Sequence, residues 1–278
     1  MTSEQPNQSS QSNQPTGPDP VLYEVREPGI ALITLNRPER LNAWNGELAS
    51  RYFEYLDQAA ADPAVKVIVV TGAGKGFCAG ADMDTLQGIG GNPGGGADSA
   101  AGGRAQIYTT TVPKPVIAAV NGACAGIGMV QALMCDIRFA AAGAKFTTAF
   151  SRRGLIAEYG ISWIMPRLIG TSRSLDLLFS GRVFLAEEAA EMGLVSAVVP
   201  AEHLLDHTLA YAADVATNAS PTSMAVMKQQ VYADQQRSMV EASNDSIELM
   251  KASLRRSDFK EGVASFLQKR PPAFSPLA

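Results

Sequence analysis

Two short runs of small residues constrain this chain more than anything else in it. The first is Gly76-Phe77-Cys78-Ala79-Gly80-Ala81-Asp82-Met83, just after the apolar run Val65-Lys66-Val67-Ile68-Val69-Val70. The second is Asn121-Gly122-Ala123-Cys124-Ala125-Gly126-Ile127-Gly128, just after Pro115-Val116-Ile117-Ala118-Ala119-Val120. Each puts Gly and Ala where a strand gives way to a helix, so backbone can approach a ligand closely. Taken alone the first run also reads as a tight turn. The second continues into an apolar helix through Met129, Val130, Ala132 and Leu133. A helix N-terminus carries free N–H groups and the positive end of a dipole. Two such elements aimed at one point make an oxyanion hole, which stabilises charge building on a carbonyl oxygen.

The rest of the chain supplies a frame for such a pair. Further strands are expected at Ile30–Leu35, near Ile137–Ala140 and over Val195–Val199, with an amphipathic helix from about Gly46 to Ala60. That helix carries Leu48, Tyr52, Tyr55 and Leu56 on one side. Strands alternating with helices predict an α/β fold of mostly parallel pairing. Residues 1–20, rich in Gln, Ser, Asn and Pro, are expected to be a disordered tail, because they bury too little to offset ordering entropy. Residues 21–200 form the expected core domain and 201–278 a helical C-terminal region. Helices are predicted there near 201–217, 221–234, 237–254 and 257–268, with apolar stripes that read as core or as a subunit seam. The Gly-rich stretch 88–103 reads equally as a passive loop or an active-site cover.

Composition excludes several classes of function. With a formal net charge of −4 the chain has no basic stripe for nucleic acid. No apolar run is long enough for a membrane span, and no basic-then-apolar leader is seen, so a cytoplasmic enzyme is expected. The cysteines, Cys78, Cys124 and Cys135, read as reduced buried residues, and His203 and His207 as solvated ones. A phosphate-binding loop ending at Gly74-Lys75 fails, since Val69 and Gly76 occupy the required Gly and Ser/Thr positions. A dinucleotide fingerprint fails at Phe77 and Gln131. No cofactor and no metal site are therefore expected.

The two runs resemble the paired motifs of the crotonase superfamily, the enoyl-CoA hydratase/isomerase family. The resemblance extends to Leu35-Asn36-Arg37-Pro38-Glu39-Arg40-Leu41-Asn42-Ala43, to Ser180-Gly181-Arg182 with Ala186–Ala190 and Gly193-Leu194-Val195, and to Asp258–Val263 with Phe266-Leu267 and Lys269-Arg270-Pro271. It implies a crotonase fold, a spiral of ββα units, followed by a C-terminal helical trimerisation region. The partners implied are an acyl-CoA substrate and copies of the same chain, as a homotrimer or a hexamer. The resemblance assigns the oxyanion-hole N–H groups to Ala81 and Ile127. It places CoA and the acyl chain against Arg40, Leu41, Lys75, Ala79, Gly80, Asp82, Met83, Gly126, Phe150, Tyr159, Phe266 and Lys269. Arg152 and Arg153 read as subunit ion pairs or CoA contacts, and Trp44, Met83 and Leu86 as acyl-pocket walls or core.

The departures from the family pattern bear on the reaction. The two glutamates of family hydratases fall by motif alignment on Val130 and Phe150, neither of which can transfer a proton. Glu158, in Gly154-Leu155-Ile156-Ala157-Glu158-Tyr159-Gly160, matches the position where dienoyl-CoA isomerases and phenylacetyl-pathway epoxide isomerases carry an aspartate. Ala149–Ile156 is also similar to the epoxide-isomerase branch. The resemblance thus implies double-bond isomerisation of an unsaturated acyl-CoA with Glu158 as acid and base. Burial among Leu155, Ile156, Tyr159 and Trp163 is expected to raise its pKa. The alternatives are hydration by Glu158 and a water, hydrolysis or dehalogenation with Glu158 as nucleophile, and acyl-CoA binding without turnover.

Overall fold

A run such as Val67-Ile68-Val69-Val70, apolar at every position, suits a strand covered on both faces, and that is how the middle of the molecule is built. The computed structural model describes residues 18–84, 87 and 104–277. The expectations for residues 1–17, for Leu86 and for the Gly-rich stretch 88–103 lie outside the described residues. In chain order the strands are β1 (Val21–Arg26), β2 (Ile30–Leu35), β3 (Val67–Gly72), β4 (Gly76–Cys78), β5 (Val116–Val120), β6 (Ala123–Ala125), β7 (Ile137–Ala141), β8 (Lys145–Thr147), β9 (Phe184–Leu185) and β10 (Ala197–Val199). The helices are α1 (Gly46–Ala61), α2 (Ile127–Met134), α3 (Ile161–Ile169), α4 (Thr171–Ser180), α5 (Ala186–Met192), α6 (Leu204–Asn218), α7 (Pro221–Asp234), α8 (Met239–Ser253) and α9 (Ser257–Gln268).

Six strands form one sheet in the order β1-β2-β3-β5-β7-β10, antiparallel at β1–β2 and parallel thereafter. The other four form a second sheet, β4-β6-β8-β9. The chain visits the two sheets in alternation. β3 leads into β4, β5 into β6 and then α2, and β7 into β8, so successive turns stack as a spiral of ββα units. Cys78 pairs with Cys124 and Cys124 with Phe146 across the second sheet. This register sets the ends of β4 and β6 side by side, and those ends carry the two small-residue runs.

The sequence offered no sign of the second sheet. Its strands are only two or three residues long, too short to show alternation, and β4 and β6 are made largely of Gly, Ala and Cys without β-branching. In α1, Leu48, Tyr52, Leu56 and Ala59 recur at helical spacing and bury one face, and the Asn45 side chain caps the helix by accepting from the Leu48 N–H. Helix α6 buries Leu204, Thr208, Ala212 and Ala216 across the first sheet. Beyond it the apolar stripes are uncovered in the single chain: Met227, Val231, Ile247, Met250, Leu254 and Phe259 are all exposed.

Candidate active site

One wall of the site is main chain. Trp44 forms an isolated parallel bridge with Ala81. Its N–H donates to the Gly80 carbonyl at 2.8 Å, and its carbonyl accepts from the Asp82 N–H at 2.9 Å. Those two bonds flank Ala81 and leave its own N–H unused. Gly80 sits at φ 107°, and a Cβ there would lie 3.2 Å from the Ala125 carbonyl oxygen, so only glycine fits.

The Leu35–Ala43 segment braces this turn. The Asn42 side chain, fully buried, accepts from the Arg37 N–H at 2.8 Å and donates to the carbonyls of Ala73 and Gly76 at 3.0 and 2.8 Å. The Arg37 guanidinium donates to the Ala43 carbonyl at 2.5 Å and to Asp82 Oδ2 at 2.7 Å. Burial alone would raise the Asp82 pKa. The Arg37 hydrogen bond, the Asp84 N–H and the charges of Arg37 and Arg40 outweigh it and hold the carboxyl below its ordinary value.

The second part of this wall is the start of α2. Gly126, at φ 51°, donates to the Thr147 carbonyl at 3.1 Å, and its own carbonyl accepts the first helical bond, from the Val130 N–H at 3.0 Å. Ile127 therefore stands in the first turn, where N–H groups have no intrahelical acceptor, and no side chain caps it. A Cβ on Gly128 would come within 2.1 Å of the Cys78 carbonyl oxygen, which shows how tightly α2 seats on β4. Ala81 and Ile127 line the same cavity, of about 420 Å³.

The remaining wall is made of side chains: Thr148, Ala149, Phe150, Arg153, Leu155, Glu158 and Tyr159. Glu158 is half-buried, and its carboxylate has no hydrogen bond or ion pair with any described residue. Burial pushes its pKa up. Arg153 shares the wall but donates to the Ala149 carbonyl at 3.3 Å. The expected screen around Glu158 is incomplete, because Ile156 is 78% exposed. A half-buried carboxylate without a partner, in a cavity that also holds free N–H groups, can accept a proton from a bound molecule.

Arg40, Ala79, Gly80, Ala81, Asp82, Met83, Gly126, Ile127, Phe150, Glu158 and Tyr159 come together around the cavity, with Trp44. Leu41, Lys75, Phe266 and Lys269 are not among its lining residues. Leu41 lies against Gly76 in a left-handed turn, Lys75 in the β3–β4 connection, and Phe266, 83% exposed, and Lys269 at the end of α9. Of the two aligned hydratase positions, Phe150 lines the cavity, whereas Val130 is buried within α2 and does not. Sequence reasoning named Leu155 as a neighbour of Glu158 but did not single out Thr148 or Ala149 as lining residues, since neither carries a chemical signature. Among the described residues no group of three His, Cys, Asp or Glu side chains could hold a metal. The three cysteines are free and buried; burial pushes Cys78 and Cys135 up to about 12 and raises Cys124 as well, so all are protonated thiols.

The family model for enoyl-CoA hydratase/isomerase matches residues 25–276. The chain belongs to the enoyl-CoA hydratase/isomerase family. Its spiral of ββα units is the crotonase fold of that family. A family relative from Escherichia coli, 1,2-epoxyphenylacetyl-CoA isomerase, is 37% identical over 256 residues, covering 90% of this chain and 96% of the relative. Among solved structures, an enoyl-CoA hydratase, EchA12_1, from Mycobacterium marinum is 54% identical with a TM-score of 0.68, and the match covers 79% of this chain and all of that one. An enoyl-CoA hydratase from Bacillus anthracis is 29% identical with a TM-score of 0.86, covering 92% of this chain and 99% of that one.

Proposed function

We propose that this family member acts on an unsaturated acyl-CoA thioester and moves a double bond along the acyl chain. The observation that carries the reading is Glu158, a half-buried carboxylate with no partner among the described residues, lining the same cavity as Ala81 and Ile127. The thioester carbonyl lies between the Ala81 and Ile127 N–H groups. Enolate charge developing on its oxygen meets two fixed donors and the dipole end of α2. The adjacent C–H becomes acidic, Glu158 removes that proton, and the same carboxyl returns it at another carbon. No cofactor enters, CoA being part of the substrate. Val130 and Phe150 leave no second carboxylate to hold a water, which favours isomerisation over hydration.

Hydration is the second reading, favoured by the hydratase names of the relatives from Mycobacterium marinum and Bacillus anthracis. In that case Glu158 activates the water alone. The uncovered apolar faces of α7, α8 and α9 favour association through residues 201–278 into a trimer or a pair of trimers. Lys269 and Phe266 then serve a neighbouring subunit's CoA. We assign residues 21–200 to the catalytic core and the enzyme to the cytoplasm.

The test is proton exchange. The protein and its Glu158→Gln variant are incubated in D₂O with 2-enoyl-, 3-enoyl- and dienoyl-CoA esters and followed by NMR and mass. Deuterium in the acyl chain with a shifted double bond, lost in the variant, is the expected result. A gain of water mass from the 2-enoyl ester selects the hydratase reading. Tight binding without any product leaves an acyl-CoA-binding protein.

A further inference from the structure

The loop that presents Glu158 holds an unusual backbone. The Ile161 N–H donates to the Glu158 carbonyl at 3.1 Å, closing a four-residue turn whose central residues are Tyr159 at φ 55° and Gly160 at φ 80°. Positive φ at both centres is the signature of a type I′ turn, in which Asn, Asp or Gly usually precedes the glycine. A bulky tyrosine in the left-handed region is strained, and such residues gather at functional sites. The conformation has a local effect: two successive side chains, Glu158 and Tyr159, line one cavity.

The Tyr159 phenol makes no hydrogen bond with any described residue, and its oxygen is open to solvent on a residue that lines the cavity. The cavity it lines mixes apolar side chains such as Trp44, Met83 and Phe150 with the polar Thr148, Arg153 and Glu158. A purely hydrocarbon acyl group filling this space would strip water from the phenol and leave its O–H unpaired, which is unfavourable. An acyl group bearing an oxygen at that point would accept from it. We propose that Tyr159 is a specificity-determining donor that selects acyl-CoA esters carrying a hydroxyl or other acceptor oxygen on the acyl group beside Glu158. The inference rests on the acyl-CoA reading above and deepens it.

The test uses binding rather than turnover, so that the two ideas fail differently. Affinities of the full-length protein and of Tyr159→Phe are measured by calorimetry for butanoyl-, hexanoyl- and phenylacetyl-CoA. The hydroxylated counterparts are the 3- and 4-hydroxy chain esters and the ring 2-hydroxy ester. The expected result is at least one pair in which the hydroxylated ester binds about tenfold tighter or more. In Tyr159→Phe that preference disappears, the plain ester binding as tightly or tighter because no O–H is left unpaired, while the melting temperature stays unchanged. Plain esters that bind with no preference for oxygen overturn this inference and leave the acyl-CoA reading standing. A preference that survives in Tyr159→Phe also overturns it. So does a variant that weakens both esters alike and melts lower, since the phenol is then structural. If no ester binds at all, both readings fall.

Discussion

The two walls of the cavity are built on different principles. On the Ala81–Ile127 side every relevant group is main chain, and several independent contacts hold it in place: the Trp44 bridge, the Arg37–Asn42 brace and the glycine contacts between α2 and β4. On the Glu158–Tyr159 side the working groups are side chains. They sit on a half-exposed loop with a left-handed tyrosine and no hydrogen-bonded support for the carboxylate. The first wall can stabilise charge on a carbonyl whatever reaction follows. The second decides where protons go, and a change of one side chain there leaves the fold intact. A family with one scaffold and several reactions is what this division allows.

The largest effect should come from attacking the main-chain wall. In Gly128→Val the new Cβ meets the Cys78 carbonyl oxygen at 2.1 Å, with the Cys78 Cβ and carbonyl carbon at 2.7 and 2.8 Å, so no flexible group can yield. Overpacking of this kind costs about 3 kcal/mol or more. The displaced α2 also carries the Ile127 N–H away from Ala81. Loss of activity and a lowered denaturant midpoint should appear together. A variant that stays fully stable and active would show that the two walls do not differ in rigidity.

Glu158→Gln is the converse. Removing an acid–base group costs about 10²- to 10⁴-fold in kcat, yet the carboxylate it deletes has no described partner whose loss could weaken the fold. Measured kcat and melting temperature should therefore separate, with the melting temperature unchanged or higher. Arg37→Ala falls between the two. It leaves the Asp82 carboxylate buried without its ion pair, at a cost of about 3 kcal/mol. It acts on catalysis only through the Ala81 turn. Here kcat should drop together with the urea midpoint, and a normal midpoint would remove Arg37 from the brace.

The same division explains what could be read from the sequence. The first wall was legible because its requirements are severe: small residues at the strand ends, and glycine where backbone meets backbone, as at Gly80 and Gly128. The long strands β2, β3 and β5 and the helices α1, α7 and α9 were legible from periodicity. The second sheet was not, because its strands are too short to show a pattern and are held by the register of their neighbours. The Glu158 side was legible only through the resemblance, as Phe150, Glu158 and Tyr159. Nothing in Ala149 or Tyr159 announces a positive φ, since neither residue favours it, and for Arg153 the sequence left a subunit ion pair and a substrate contact both open. Such features are imposed by tertiary context.

The smallest expected effect is the finest probe of the comparison, because each wall contributes one carboxylate and the two are shifted in opposite directions. Asp82 is held below its ordinary value by Arg37 and the Asp84 N–H, acting against burial. Its native form binds fewer protons than the unfolded chain, so it contributes stability above the unfolded value, and that contribution is lost as pH falls through the lowered one. Glu158 is raised by burial. Its native form binds more protons, so stability declines as pH rises from the unfolded value through the raised one. In the same window the carboxylate becomes available as a base, and kcat/KM should rise. Melting curves across acidic pH, taken for the parent protein, Asp82→Asn and Glu158→Gln, isolate the two contributions by difference. The Asp82 difference should shrink toward acid, and the Glu158 difference should grow toward neutrality. Two slopes of the same sign would mean that the carboxylates share one environment and that the cavity has no division between a bracing side and a reacting side.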